Sequence, residues 1–283
     1  MRKILLSIAS FFARILPTGI KGKLYKLGPL ARAIRYTLNL AAPTDLTEIE
    51  ISAGGLAGMK LFLDLHSEKD YWLGTYETEL QAAIRKFVKP SWTACDVGAN
   101  IGYISLLLAQ AIGKKGTVFS FEALPSNIER LQANVTLNGL DSSVQVIHGA
   151  VGAASAPVKF LIGPSGAMGK VKGSAGRTNG HVDSIDVPGY SLDEFVYRDG
   201  NPSPQIVKMD IEGGEVLALP GMKRLLSEAR PLIFLELHGP ESAQVAWETF
   251  VNAGYRIALM KSNYPEVPSV DDLDWKSYII AFP

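Results

Sequence analysis

Residues 96–105 read DVGANIGYIS, with the apolar WTAC before them and LLLAQAI after them. The flanks predict a buried strand at 92–97 and a helix at about 102–112, so Asp96, Asn100 and the two glycines fall on the turn that joins them. Gly98 and Gly102 remove side chains where the chain turns tightly and approaches something closely. The start of the following helix offers backbone N–H groups without intrahelical partners. Such a turn suits a nucleotide-like ligand; a structural turn with no ligand is the plainer alternative. The spacing G-A-N-I-G is not G-x-G-x-x-G, because Asn100 stands where a dinucleotide loop wants its middle glycine. Asp96, two residues before the first glycine, would repel a pyrophosphate but not a ligand with an ammonium or sulfonium group. Asp96 and Gly98 therefore suit an amino-acid-bearing nucleoside, S-adenosylmethionine.

Outward from this turn the chain keeps a strand–helix rhythm. Strands are predicted at 116–121, 144–148, 157–162, 182–187 and 205–209, in PLIFLELH, and at 255–260 and 277–282. Helices are predicted at about 125–138, 191–197, 214–227 and 241–252. This alternation is that of an α/β, Rossmann-like sheet, mostly parallel, with helices on both faces. The last two strands have no helix between them, which predicts an antiparallel C-terminal hairpin at one sheet edge. Ahead of the sheet, Ile49–Leu65 alternates and contains Gly54, Gly55 and Gly58, a β-hairpin, and Tyr76–Val88 reads as a helix with an acidic first turn.

Three more stretches carry chemistry. Glu122 ends the strand in VFSFEALPSN, 20 residues after Gly102, where a carboxylate accepts hydrogen bonds from ribose hydroxyls. Nicotinamide enzymes share that feature. In VKMDIEGGEVLALPG a buried strand ends at Asp210, with Glu212 and Glu215 close behind; these carboxylates either cap a helix or face a ligand. Glu236 and His238 end the next strand in FLELHG, and ligands of open α/β sheets lie over such ends. A structural histidine is the plainer reading of His238, and its place on a strand neighbouring Asp210 favours a functional one.

The net charge of zero conceals an asymmetry. Residues 1–44 hold eight basic residues and no acid, leaving the remainder with 20 basic and 28 acidic residues, net −8. That excludes a general nucleic-acid binder, which needs many phosphate contacts from Lys and Arg. With 47% hydrophobic residues and a mean hydropathy of +0.13, the chain has enough apolar material for a core. Cys95 is the single cysteine, so no intramolecular disulfide or cysteine metal cluster forms. The sequence divides into a basic amphipathic extension at 1–44 and one domain over 45–283. Ile4, Leu5, Ile8, Phe11, Phe12, Ile15 and Leu16 share one helical face, too short to cross a membrane. Three readings stay open: a helix docked on the body, a helix lying on an anionic membrane through residues 1–35, or a signal peptide, which Arg14 argues against. A cytoplasmic protein, peripheral at the membrane under the second reading, is expected. The glycine-rich stretch 163–180 reads as a surface loop or as an acceptor-binding lid.

DVGANIGYISLLLAQ, VFSFEALPSNIERLQANVTLNGL, AVG at 150–152, SLDEF, IVKMDIEGGEVLALPGMKRLL and PLIFLEL together resemble the FkbM-type methyltransferases of the class I S-adenosylmethionine-dependent group. The resemblance covers about residues 75–260, and Ala123 and Leu124 depart from the usual pattern at the adenosine rim. It implies methylation of a hydroxyl oxygen on a sugar, glycan or natural product. It places Asp96, Gly98, Asn100 and Gly102 at the methionine portion of the cofactor, Glu122 at the ribose, Ala150 near the adenine and Asp210 near the transferred methyl group. An alcohol is a weak nucleophile, so a general base is expected, His238 or Asp210, with Glu212 orienting the acceptor or binding a metal. The expected partner is a small-molecule or carbohydrate acceptor. Two alternatives remain at this level: a nicotinamide-dependent oxidoreductase, and a non-catalytic membrane-associated nucleoside-binding protein.

Overall fold

The computed structural model describes residues 42–163, 169–175, 180, 182–274 and 276–283, with isolated positions before residue 42. The predicted amphipathic helix and basic connector therefore lie, but for those positions, outside the described residues. Contacts divide the chain into two units: residues up to Gln81 with Thr136–Asn138, and Ala82–Val135 with Gly139–Pro283.

In the first unit, β1 (Thr47–Glu50) and β2 (Lys60–Leu63) form the expected antiparallel hairpin, with Thr47 opposite Leu63 and Glu50 opposite Lys60. Leu61 and Leu63 point inward, as a period of two requires. Helix α1 (Lys69–Leu73) follows, then α2 (Thr78–Phe87), which runs into the second unit. The buried Gln81 ties the hairpin turn down, its Oε1 accepting from Gly55 N at 2.8 Å.

The second unit is built on β3 (Thr93–Val97), α3 (Tyr103–Ile112), β4 (Thr117–Glu122), α4 (Pro125–Leu137, whose last turn belongs to the first unit) and β5 (Val144–His148). Next come β6 (Ala150–Val151), β7 (Val158–Ile162), β8 (Lys170–Val171), β9 (Asp183–Val187), β10 (Gly189–Tyr190) and α5 (Leu192–Tyr197). The chain continues through β11 (Ile206–Met209), α6 (Glu215–Ala218), α7 (Lys223–Glu228), β12 (Leu232–Glu236), α8 (Pro240–Asn252), β13 (Arg256–Leu259) and β14 (Tyr278–Phe282). The seven-stranded sheet runs β13-β14-β12-β11-β3-β4-β5, and β14 alone runs against the other six strands. The predicted C-terminal hairpin is thus at a sheet edge, with β14 on its inner side.

Strand order decides where a ligand can lie. From β3 the chain moves outward to β4 and β5, then returns to β11 on the other side of β3. This reversal is a topological switch point, and it opens a crevice at the carboxyl ends of β3 and β11. The central strands are apolar because helices cover both faces: all four residues of β11 are buried. Helix α3 is buried on nearly every side, from Tyr103 through Ala109, which explains its unbroken run of apolar residues.

Two expectations need correction. The helix foreseen over 214–227 is broken into α6, a 3-10 turn at Leu219–Met222 and α7, as Pro220 cannot donate into an α-helical ladder. The glycine-rich stretch 163–180 is not wholly loop. Lys170 and Val171 pair with β7 in a three-stranded sheet ordered β8-β7-β9, and Lys170 is buried, its Nζ donating to Ala175 O at 2.8 Å.

Candidate active site

The turn after β3 is built from backbone hydrogen bonds. Gly98 N and Ala99 N both donate to Phe121 O, at 3.0 and 2.9 Å, which holds the turn against the end of β4. Gly98 has φ +78°, and a Cβ there would overlap the carbonyl oxygen of Asp210. Glycine is needed on both counts, and the turn lies directly against the end of β11. Asn100 also adopts a left-handed φ of +50°, a conformation that asparagine tolerates better than most residues. Gly102 caps α3.

Glu122, at the end of β4, is buried. Its Oε2 accepts from Asn100 N at 2.8 Å, and its Oε1 accepts from Leu124 N at 2.8 Å and from Asn127 Nδ2 at 3.4 Å. Burial raises its pKa above the usual carboxylate range, against the lowering effect of those hydrogen bonds. Gly149 N donates to Glu122 O at 2.8 Å, which brings the buried Ala150 of β6 to the same strand end.

Asp96 lies deeper than the turn it precedes. It is fully buried, and its Oδ2 accepts from Ser105 Oγ at 2.6 Å. Its Oδ1 has no hydrogen bond of good geometry but lies 3.1 Å from Lys208 Nζ, an ion pair. Both oxygens thus face protein groups beneath the turn.

The second group of residues sits one strand over. His238 Nε2 is 3.7 Å from Asp210 Oδ1, 3.8 Å from Glu236 Oε1 and 4.0 Å from Glu212 Oε2. On its other side, Nδ1 is 3.2 Å from Oε1 of the fully buried Glu215. Glu215 is itself held by Ile211 N, Gly213 N and Ser242 Oγ, at 3.2, 3.3 and 2.9 Å. Burial alone would lower the pKa of His238. The hydrogen bond to Glu215 and the charges of Glu215, Asp210 and Glu236 outweigh it and push the pKa up to about 9. The ring is therefore an imidazolium near neutral pH. Glu236 is oriented by Tyr278, whose hydroxyl donates to Oε2 at 2.6 Å. Asp210, Glu236 and His238 also offer ligand atoms within 4.8 Å of one another, a spacing open to a cation.

The structure thus gathers Asn100, Glu122 and Ala150 at the ends of β4 and β6, and Asp210, Glu212 and His238 at the ends of β11 and β12. Gly98 lies between the two groups. Asp96 is fully buried and is held by Ser105 and Lys208. Two residues outside the predicted set prove central. Glu215 anchors His238, and Lys208 joins the turn to β11. The signal for Lys208 was a lysine inside an otherwise apolar strand. Residues 169–175 also touch the site, since Ala175 N donates to Gly213 O at 2.9 Å.

Residues 96–257, more than half of the chain, match the methyltransferase FkbM domain. A hexuronic acid methyltransferase, AglP of Haloferax volcanii, is 31% identical over 143 residues, covering 50% of this chain and 54% of the relative. The chain therefore spans about half the length of this curated relative. The crystal structure of an FkbM methyltransferase from Methylobacillus flagellatus KT is 19% identical with a TM-score of 0.45, covering 77% of this chain and 53% of that one. The structure of Aeropyrum pernix fibrillarin with natively bound S-adenosyl-L-methionine is 12% identical with a TM-score of 0.41, covering 69% and 67%. The glycine turn, Glu122, Asp210 and His238 all fall inside the matched span, and the chain belongs to the FkbM methyltransferase family, with S-adenosylmethionine as its cofactor.

Proposed function

We propose that this chain transfers a methyl group to a hydroxyl oxygen of a sugar, glycan or natural product. The observation that carries the reading is the ring of carboxylates around His238, one strand from the glycine turn. Carboxylates accept hydrogen bonds from hydroxyls, and the resemblance to a hexuronic acid methyltransferase agrees with a carbohydrate acceptor. Family membership sets aside the oxidoreductase alternative.

The residues at the crevice fit the cofactor. Glu122 accepts from Asn100, Leu124 and Asn127 and stands at the end of β4, where a carboxylate can receive a ribose hydroxyl. Gly98, Asn100 and Gly102 would hold the methionine portion, supported from below by Asp96, with Ala150 beside the adenine. When bound, S-adenosylmethionine supplies a methyl group on a positively charged sulfur that already activates the leaving group. What this chain must add is alignment of the acceptor, exclusion of water and a place for the hydroxyl proton. With His238 already protonated, Asp210 is the group that accepts that proton. His238, clamped by Glu215, keeps Asp210, Glu212 and Glu236 together against their mutual repulsion, and Glu212 orients the acceptor.

The test is mass-spectrometric detection of a methylated product from a panel of glycosides and natural-product alcohols with S-adenosylmethionine. A product methylated on nitrogen or carbon would overturn the reading. We also propose that residues 1–35 contact an anionic membrane surface; among the described residues no helix is long and apolar enough to cross one.

A further inference from the structure

Lys208 occupies the third position of β11, inside the sheet. Lysine is almost never fully buried unless it is paired. Here Nζ lies 3.0 Å from Gly98 O and 3.1 Å from Asp96 Oδ1, with the two side chains 4% and 0% exposed. Lys208 and Asp96 are direct neighbours in the β11–β3 register. From Asp96 the bonds continue to Ser105 Oγ, which accepts from Ser120 Oγ at 2.8 Å. One polar line thus runs from β4 through α3 and β3 to β11. Burial would drive the proton off Lys208, but Asp96, Asp210 and Glu236 outweigh burial and raise its pKa, so it remains an ammonium.

Stability alone does not call for this arrangement, because apolar residues of similar volume often replace a buried ion pair at no loss. Its particular consequence falls on Gly98. A glycine at φ +78° has wide backbone freedom, and the peptide that follows it is held at its N–H end by Phe121 O. Lys208 grips the other end of that same peptide, so the Gly98–Ala99 plane is pinned at both its C=O and its N–H. Ala99 N then meets Phe121 O, and Asn100 N meets Glu122.

We propose that Lys208 is a positioning residue for the cofactor turn: held by Asp96, its ammonium fixes the Gly98 carbonyl and so presets the backbone that carries Asn100 and orients Glu122. It acts through the turn and touches no reacting atom. The proposal rests on the reading that the turn and Glu122 hold S-adenosylmethionine.

K208M alone would strand the Asp96 charge in the interior and is expected to unfold readily. D96N/K208M removes both charges and is the decisive variant. Thermal unfolding and calorimetric titration with S-adenosylhomocysteine are measured on the full chain and on this variant. The expected result is a melting temperature within a few degrees of the parent, with binding weakened roughly tenfold or more. A folded variant that binds within about twofold of the parent overturns the proposal. So does a variant with no cooperative melt, because the pair would then serve the fold and not the turn. Failure of the parent chain to bind S-adenosylhomocysteine is a different result, and overturns the reading of the turn itself.

Discussion

Glu215 Oε1 lies 3.2 Å from His238 Nδ1, and Glu215 is entirely buried. The imidazolium also faces Asp210, Glu212 and Glu236, so it is surrounded by carboxylates from the turn after β11, from α6 and from β12. Its folded-state pKa of about 9 is above the ordinary 6.5. A raised pKa means the stabilisation is complete below about pH 6.5 and is lost as the pH rises through about 9. Denaturant unfolding at a series of pH values should show stability falling by on the order of 2–3 kcal/mol across that window. The same series on E215Q should show a much shallower decline; an unchanged slope would mean that Glu215 does not hold the proton on His238.

D210N should lower turnover by about 100-fold or more, the usual effect of losing a general base. Because Asp210 is assigned to the acceptor's proton and not to cofactor binding, calorimetric affinity for S-adenosylhomocysteine should stay near the parent value. Unchanged turnover in D210N together with its loss in H238A would move the proton to His238.

E122Q replaces an acceptor oxygen with an amide that must point at the N–H of Asn100 or of Leu124. One buried donor is then left facing another donor, at about 1–3 kcal/mol. Affinity for S-adenosylhomocysteine should fall roughly 10–100-fold, read by the same titration. Parent-like affinity would remove Glu122 from the cofactor site.

Gly213 has φ +93°, and a Cβ there would overlap Ala175 O. G213A should therefore destabilise the protein by on the order of 3 kcal/mol, measured by chemical denaturation. It should also free the 169–175 segment, seen as faster proteolysis near Ser174. A neutral G213A would show that this segment is not seated on the turn.

The full chain should sediment with vesicles rich in anionic lipid at low salt, and release as salt shortens the range of electrostatic attraction. A chain lacking residues 1–35 should stay in the supernatant under the same conditions. Equal behaviour of the two would end the membrane proposal.

The sheet and its glycine turn were legible because apolar strands, amphipathic helices and glycines each leave a local pattern, whereas the switch point depends on strand order. What was not legible was side-chain direction. Asp96 precedes the turn in sequence, but alternation along β3 sends its carboxylate to Ser105 and Lys208, and only the register with β11 shows this. Glu215 looked like one of three carboxylates at a helix start; its burial against His238 depends on a residue 23 positions away. The break after α6 was readable from Pro220, whereas the pairing of β8 with β7 was masked by surrounding glycines.

Among the described residues the strand Tyr278–Phe282 follows every other strand in sequence and yet lies between β12 and β13. During synthesis, β12 emerges from the ribosome long before the strand that completes its second ladder. Until then the backbone beside Glu236 is unpaired on one side, and Tyr278, which orients that carboxylate, has not arrived. A chain stopped before Tyr278 therefore lacks both the second ladder of β12 and the hydroxyl that orients Glu236.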